Sequence, residues 1–303
     1  MNQKHIYGLV LAGMITLVVV ILRLSSCVSL PAVLINRTQP LHSPQPARQN
    51  ASGEYDKRER IENIEKINLL GKTCSIRTST DPEDVFTYME NITIRCNTPI
   101  LAGRVIMEQV PYIKNEKYVC LDRKYKIVPG DCLIYSFGIS TDWSFDDDMD
   151  QLFNCKVYCF DHTIHKRDHQ RSKNIRFLAT GISSVKRNQV DRYINILKRF
   201  GHENATIDYL KMDVEGAELQ FFEDVFTNTP EVLNNIKQIG MEIHATRNKN
   251  YMKRYMRYFE LLECLGFRLM FSQMIDINAL LYKKNGKTRS CCYELMWARD
   301  KEW

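Results

Sequence analysis

"TIDYLKMDVEGAEL", residues 206–219, passes from a mainly apolar stretch to a turn that carries Asp213, Glu215 and Glu218 around Gly216. The first half reads as a buried strand and the second as the opening of a helix, whose apolar stripe continues through Leu219, Phe222, Val225 and Phe226. Carboxylates at a helix N-terminus complement its dipole, by a few tenths to ~1 kcal/mol each. The other reading is a ligand site, and the surrounding pattern decides which of the two to expect.

Strands and helices alternate from residue 131 onward. "DCLIYSF" (131–137), "KVYCF" (156–160), "NIRFLATGI" (174–182), "TIDYLKMDV" (206–214) and "IKQIGMEIH" (236–244) read as strands. The spacing predicts helices within 138–154, around Val190, Ile194 and Leu197, over the stripe just named, and over "NYMKRYMRYFELLECLG". Two further strands, "FRLMFSQMI" and "YELMWAR", close the pattern across "KKNGKTRS", read as a polar turn. The expected fold is α/β, a doubly wound, mostly parallel sheet with one antiparallel strand, occupying 131–303. Ligands of such sheets bind beyond the carboxyl ends of the strands, where the strand order reverses. Gly138 and Asp161 end two successive strands 23 residues apart, close to the spacing of ~20 at which an acidic residue meets a ribose.

The "DYLKMDVEGAE" run resembles the Lys-x-Asp-Val-Glu-Gly-x-Glu signature of FkbM-type methyltransferases. With "IYSFGISTDWSFD" and "VYCFD" it is similar to the methyltransferase-like protein 24 group of these S-adenosylmethionine-dependent enzymes. The resemblance covers about 120–303 and implies a class I methyltransferase fold of seven strands, Rossmann-like, with S-adenosyl-L-methionine as cofactor. It implies that Ser136, Gly138, Ser140, Asp161 and His162 line the cofactor, with Asp161 on the ribose. It also implies that Lys211, Asp213 and Glu215 face the transferring methyl. Ser136 stands where these enzymes commonly carry Asp, and Asp142 where a second Gly is usual. Methyl transfer to a hydroxyl needs a base, and Asp213 or Glu215, or His244 at the end of "MEIH", offers one. No full ligand set for a metal is evident.

The acidic run "FDDDMD" (145–150) raises a competing reading, a glycosyltransferase using Asp146 and Asp148 to hold a metal and a sugar nucleotide. A turn and Trp143 precede the run in place of a hydrophobic strand, so acids favoured at a helix N-terminus explain it more simply. A methyltransferase-fold binding protein without activity is a third reading.

Composition is that of an ordinary globular chain, 44% hydrophobic and 26% charged over 303 residues, with a net charge of +6. Lys and Arg are dispersed and no nucleic-acid-binding signature appears, so no nucleic acid partner is expected. Residues 6–22 run without a charge and would span ~25 Å as a helix at 1.5 Å per residue, enough for a signal anchor within 1–23. A cleaved signal peptide is the alternative. A Pro- and Ser-rich stem (24–54) follows, then an extension (55–130) expected to begin with a helix through Ile61, Ile64 and Ile67 and to continue irregularly. Sequons at Asn36, Asn50, Asn91 and Asn204, with Cys74, Cys96 and Cys120 in the extension and Cys132 just after it, suit an oxidising compartment. Cys264, Cys291 and Cys292 read as packed thiols. The layout predicts a single-pass, type II glycoprotein facing the Golgi or endoplasmic reticulum lumen, or a secreted one after cleavage, with a glycan or other lumenal molecule as methyl acceptor.

Overall fold

The computed structural model describes residues 64–77, 81, 83–103, 116–245, 248–276 and 280–301. The expected anchor and stem, and the sequons at Asn36 and Asn50, lie outside the described residues. Among the described residues no helix is long and apolar enough to cross a membrane.

In chain order the elements are β1 (Ile64–Leu69), β2 (Lys72–Arg77), α1 (Glu83–Glu90), β3 (Pro99–Ala102), β4 (Lys117–Cys120), β5 (Leu133–Phe137), α2 (Ser144–Phe153) and β6 (Lys156–Phe160). They continue with β7 (His169–Gln170), β8 (Ile175–Leu178), β9 (Gly181–Ile182), β10 (Val190–Asp191), α3 (Tyr193–Arg199), β11 (Ile207–Met212) and α4 (Glu218–Asn228). The last are β12 (Ile236–His244), α5 (Lys249–Cys264), β13 (Phe267–Met274), β14 (Leu281–Lys284), β15 (Lys287–Ser290) and β16 (Cys292–Arg299).

The central sheet runs β13-β16-β12-β11-β5-β6-β8-β7. β11 is buried at every position, Asp208 and Lys211 included, because parallel neighbours flank it and both faces are covered, which is why its sequence does not alternate polar and apolar residues. β16 is antiparallel to both β12 and β13, as the closing pattern suggested. An eighth strand, the two-residue β7, pairs antiparallel with β8 at the edge and had no sequence signal of its own. From β5 the order runs through β6 to β8 on one side and through β11 to β12 on the other, so the reversal falls at β5. On one face, the stripe of α4 meets α5 through Phe222, Phe226 and Tyr258, whose rings stack. On the other, Phe145 of α2 packs on Tyr209 of β11.

Three expectations are corrected. The helix through Ile64 and Ile67 is instead the hairpin β1–β2: Glu65, Ile67 and Leu69 turn inward with a period of two, and Leu70 and Gly71 take φ of 51° and 76° at the turn. Val190 lies in β10, paired parallel with β9, and the helix begins only at Tyr193. "KKNGKTRS" carries the hairpin β14–β15, turning at Asn285-Gly286.

The extension is built into the sheet. Cys74–Cys264 ties β2 to α5, so Cys264 is not a packed thiol; Cys96–Cys120 ties the segment before β3 to the end of β4, and Cys132–Cys155 joins the starts of β5 and β6. Cys291 is also disulfide-bonded, whereas Cys159 and Cys292 are buried thiols. β4 crosses the sheet over β12 and β16: the Gln238 amide accepts from Cys120 N and donates to Cys120 O, imitating a strand partner. Tyr209 Oη donates to Tyr118 O, and the path of that phenol requires glycine at 240, where a Cβ would lie 1.8 Å from the oxygen.

Candidate active site

The chain turns sharply where β5 ends. Gly138 has a φ of 77°, its N–H bonds Phe160 O, and a Cβ on it would fall 1.7 Å from Asp213 O. Only glycine fits both the left-handed backbone and that approach. The turn thereby seats the end of β5 directly against the end of β11, where Asp213 N also bonds Phe137 O.

Asp161, after β6, gathers the neighbouring loops. Its Oδ2 accepts from Ser140 N at 2.8 Å, and its Oδ1 accepts from Thr163 N and Oγ1 at 2.7 and 2.6 Å. Ser140 itself has a left-handed φ of 52°, which aims its N–H at the carboxylate. The His162 ring lies against Gly181 at β9. Ser136 is fully buried in β5, beneath the turn.

The carboxylates of the opening stretch divide. Glu218 is buried and its Oε1 accepts from Val214 N, so it closes the turn before α4. Asp213 and Glu215 stand on the turn itself, Glu215 with a left-handed φ of 52° and a side chain 43% exposed. Lys211 is buried and donates to Gly138 O at 3.0 Å, so its ammonium lies under the glycine turn.

His244, at the end of β12, is enclosed by acids: Nδ1 lies 3.2 Å from Glu218 Oε1, and Nε2 lies 3.1 Å from Glu215 Oε2 and 3.5 Å from Glu242 Oε1. Burial pulls its pKa down, but Glu218, Glu215 and Glu242 outweigh it and hold the imidazole protonated, well above the ordinary range. An imidazolium cannot accept a proton, so His244 positions Glu215 and Glu218.

Sequence reasoning missed Lys117, Glu242 and Glu294. Glu242 and Glu294 are direct partners across β12 and β16, and with Asp213 they bring carboxylate oxygens within 4.8 Å of one another. Lys117, at the start of β4, places its ammonium among them, bonded to Glu294 and 3.8 Å from Asp213. Burial lowers its pKa, yet Glu294, Asp213 and Glu242 raise it further, so it remains a cation. A signal for the two acids did exist: one glutamate inside each of two apolar strands, "MEIH" and "YELMW", implies a buried charge with a partner. Lys117 sits in a stretch without periodicity and gave none.

The "FDDDMD" run does not form one site. Asp147 pairs with Arg171, Asp148 accepts from Gly103 N, Asp150 accepts from Ser172 and Asn174, and Asp146 is fully buried. The helix sends these carboxylates in different directions, so Asp146 and Asp148 do not converge on a metal and a sugar nucleotide.

A glycine turn closed on the neighbouring strand end, an aspartate collecting the next loop, and carboxylates beside them all stand at the strand-order reversal of a doubly wound sheet. Residues 103–285 match the model of a methyltransferase-domain family, and the chain belongs to that family. No curated protein matches the chain. Among solved structures, M. capricolum TrmK, in complex with its natural cofactor product S-adenosyl-homocysteine, is similar at 12% identity over 60% of this chain and 68% of that one, with a TM-score of 0.31.

Proposed function

We propose that this chain transfers a methyl group from S-adenosyl-L-methionine to a hydroxyl oxygen of a glycan or another secretory-pathway substrate. The observation that carries the reading is the junction of Gly138, Asp161 and Asp213 at the ends of β5, β6 and β11. The residues fit an adenosyl ligand: Asp161 Oδ2, with one bond from Ser140 N, keeps acceptor capacity for ribose hydroxyls. When bound, the cofactor would supply a methyl on a sulfonium for in-line displacement, with the neutral thioether as the leaving group. The protein's part is to orient the acceptor and take its proton. Asp213 or Glu215 receives that proton from the acceptor hydroxyl. Lys117 and the His244 imidazolium fix the two carboxylates from behind. Lys211 serves beneath the turn.

The disulfides Cys74–Cys264, Cys96–Cys120 and Cys132–Cys155 support an oxidising compartment, as do exposed asparagines in the sequons at Asn91 and Asn204. The test is calorimetric titration of the full chain, disulfides intact, with S-adenosylmethionine and S-adenosylhomocysteine, and with a UDP-sugar plus Mn²⁺ for comparison. Saturable binding of the adenosyl ligands, lost in Asp161→Ala, is the expected result. A folded sample that ignores both adenosyl ligands sinks the reading, and binding of the sugar nucleotide would move the function to glycosyl transfer.

A further inference from the structure

We infer that Asp146, on α2, is the buried counter-ion of Lys211 and through it holds the Gly138 turn in the shape that receives the cofactor. The inference rests on the proposed function and adds to it a positioning residue outside the strand ends.

Lys211, Ser136 and Cys159 are direct neighbours in register across β11, β5 and β6, forming one polar row inside an otherwise apolar sheet face. α2 packs on the sheet face that carries this row, with Phe145 against Tyr209, two residues before Lys211, and Asp146 is the next residue of the helix. It is fully buried, and neither carboxylate oxygen has a hydrogen-bond partner among the described residues. The Ser136 hydroxyl below is likewise unpartnered. Burial pushes Asp146 up to about 6, while Lys211, Ser136 and Cys159 pull it back, so at neutral pH it carries a charge. A buried carboxylate with no hydrogen bonds is a poor way to stabilise a fold; an amide or an apolar side chain of similar size would serve better. What the charge does supply is an electrostatic hold on the ammonium of Lys211, whose long stem is otherwise free to choose among rotamers. That ammonium bonds Gly138 O, and the Gly138 turn closes on Asp213 O. The line from α2 to the crevice is therefore Asp146, Lys211, Gly138 and Asp213.

The consequence separates positioning from packing. Asp146→Asn keeps the shape and removes the charge. It should leave the melting temperature unchanged or raised, while weakening S-adenosylhomocysteine binding by about tenfold, the order of one charge-assisted contact. Because residue 136 stands beside Lys211 in register, Ser136→Asp added to Asp146→Asn returns a carboxylate to Lys211 from a different element. It should restore most of the binding. The measurement is calorimetric titration of S-adenosylhomocysteine into the full chain and both variants, with thermal unfolding alongside. Wild-type chain that does not bind removes the proposed function and this inference together. Wild-type binding with Asp146→Asn equal to it overturns this inference alone, as does a loss that the relocated carboxylate fails to recover. If Asp146→Asn does not fold, the double variant decides: folding with binding restored supports the inference, and failure to fold or to bind assigns Asp146 to packing and overturns it.

Discussion

Asp161 and Asp213 stand one strand apart on either side of β5, and their substitutions are expected to fail differently. Asp161→Ala removes the acceptor that holds Ser140 and Thr163, so binding of the adenosyl ligand should weaken. Asp213→Ala should reduce turnover more than binding, because in the proposed reaction its carboxylate takes the acceptor's proton. Single-turnover rates and ligand titrations on both variants check this, and the reverse pattern would exchange the two roles. Asp146 and His244 are both buried and shifted upward, with different consequences. An acid raised from ~3.9 to about 6 stabilises the fold only while protonated, so ionising Asp146 between those values costs the fold about 3 kcal/mol at neutral pH. For His244, a base gaining partners, the contribution is fully present below ~6.5 and is lost as the pH rises through its raised folded value. Urea unfolding should therefore show wild-type stability falling toward alkaline pH, with His244→Gln less stable at pH 6 and flatter above it. Parallel curves for the two chains would show that His244 is neutral in the fold.

Among the elements, those with both faces buried were the most legible. β11 and β12 show no polar–apolar alternation because strands flank each of them on both sides and both faces are covered. The hairpin β1–β2 was not, since isoleucines at 61, 64 and 67 repeat at a helical interval while the pleat uses Glu65, Ile67 and Leu69. Its Leu70-Gly71 turn was the available correction. A two-stranded hairpin is marginal by itself, and Cys74–Cys264 supplies the missing attachment across a sequence separation of 190. Replacing both cysteines by alanine is expected to lower stability by about 2 to 5 kcal/mol, less where the other disulfides already restrict the loop. Thermal unfolding under oxidising conditions measures it, and an unchanged midpoint would mean that packing alone holds the hairpin to α5.

For the molecule as a whole, the legible part of the site was the part local in sequence. Asp213, Glu215 and Glu218 share one turn, and Gly138 and Asp161 each end a strand, so strand-end reasoning reached them. Lys117, Glu242 and Glu294 meet only through topology, when antiparallel β16 is laid beside β12 and β4 is drawn across both. No periodicity records such a meeting. The compartment is checked at the same scale: if the chain matures in the secretory pathway, glycosidase treatment should release glycans from the exposed Asn91 and Asn204, and Asn→Gln at each should remove one step in mass. A product indifferent to glycosidase and to both substitutions would count against occupancy of either sequon.

The path of β4 sets a lower limit on any working fragment. A chain begun at residue 131, where strand and helix start to alternate, would still contain the eight strands of the central sheet and the aspartates at 146, 161 and 213. It would lack the ammonium that stands among Asp213, Glu242 and Glu294, leaving three carboxylates crowded together in an interior without the cation bonded to Glu294. Such a fragment could keep the outline of a methyltransferase and misplace Asp213, so the shortest useful version of this protein is longer than its recognisable fold.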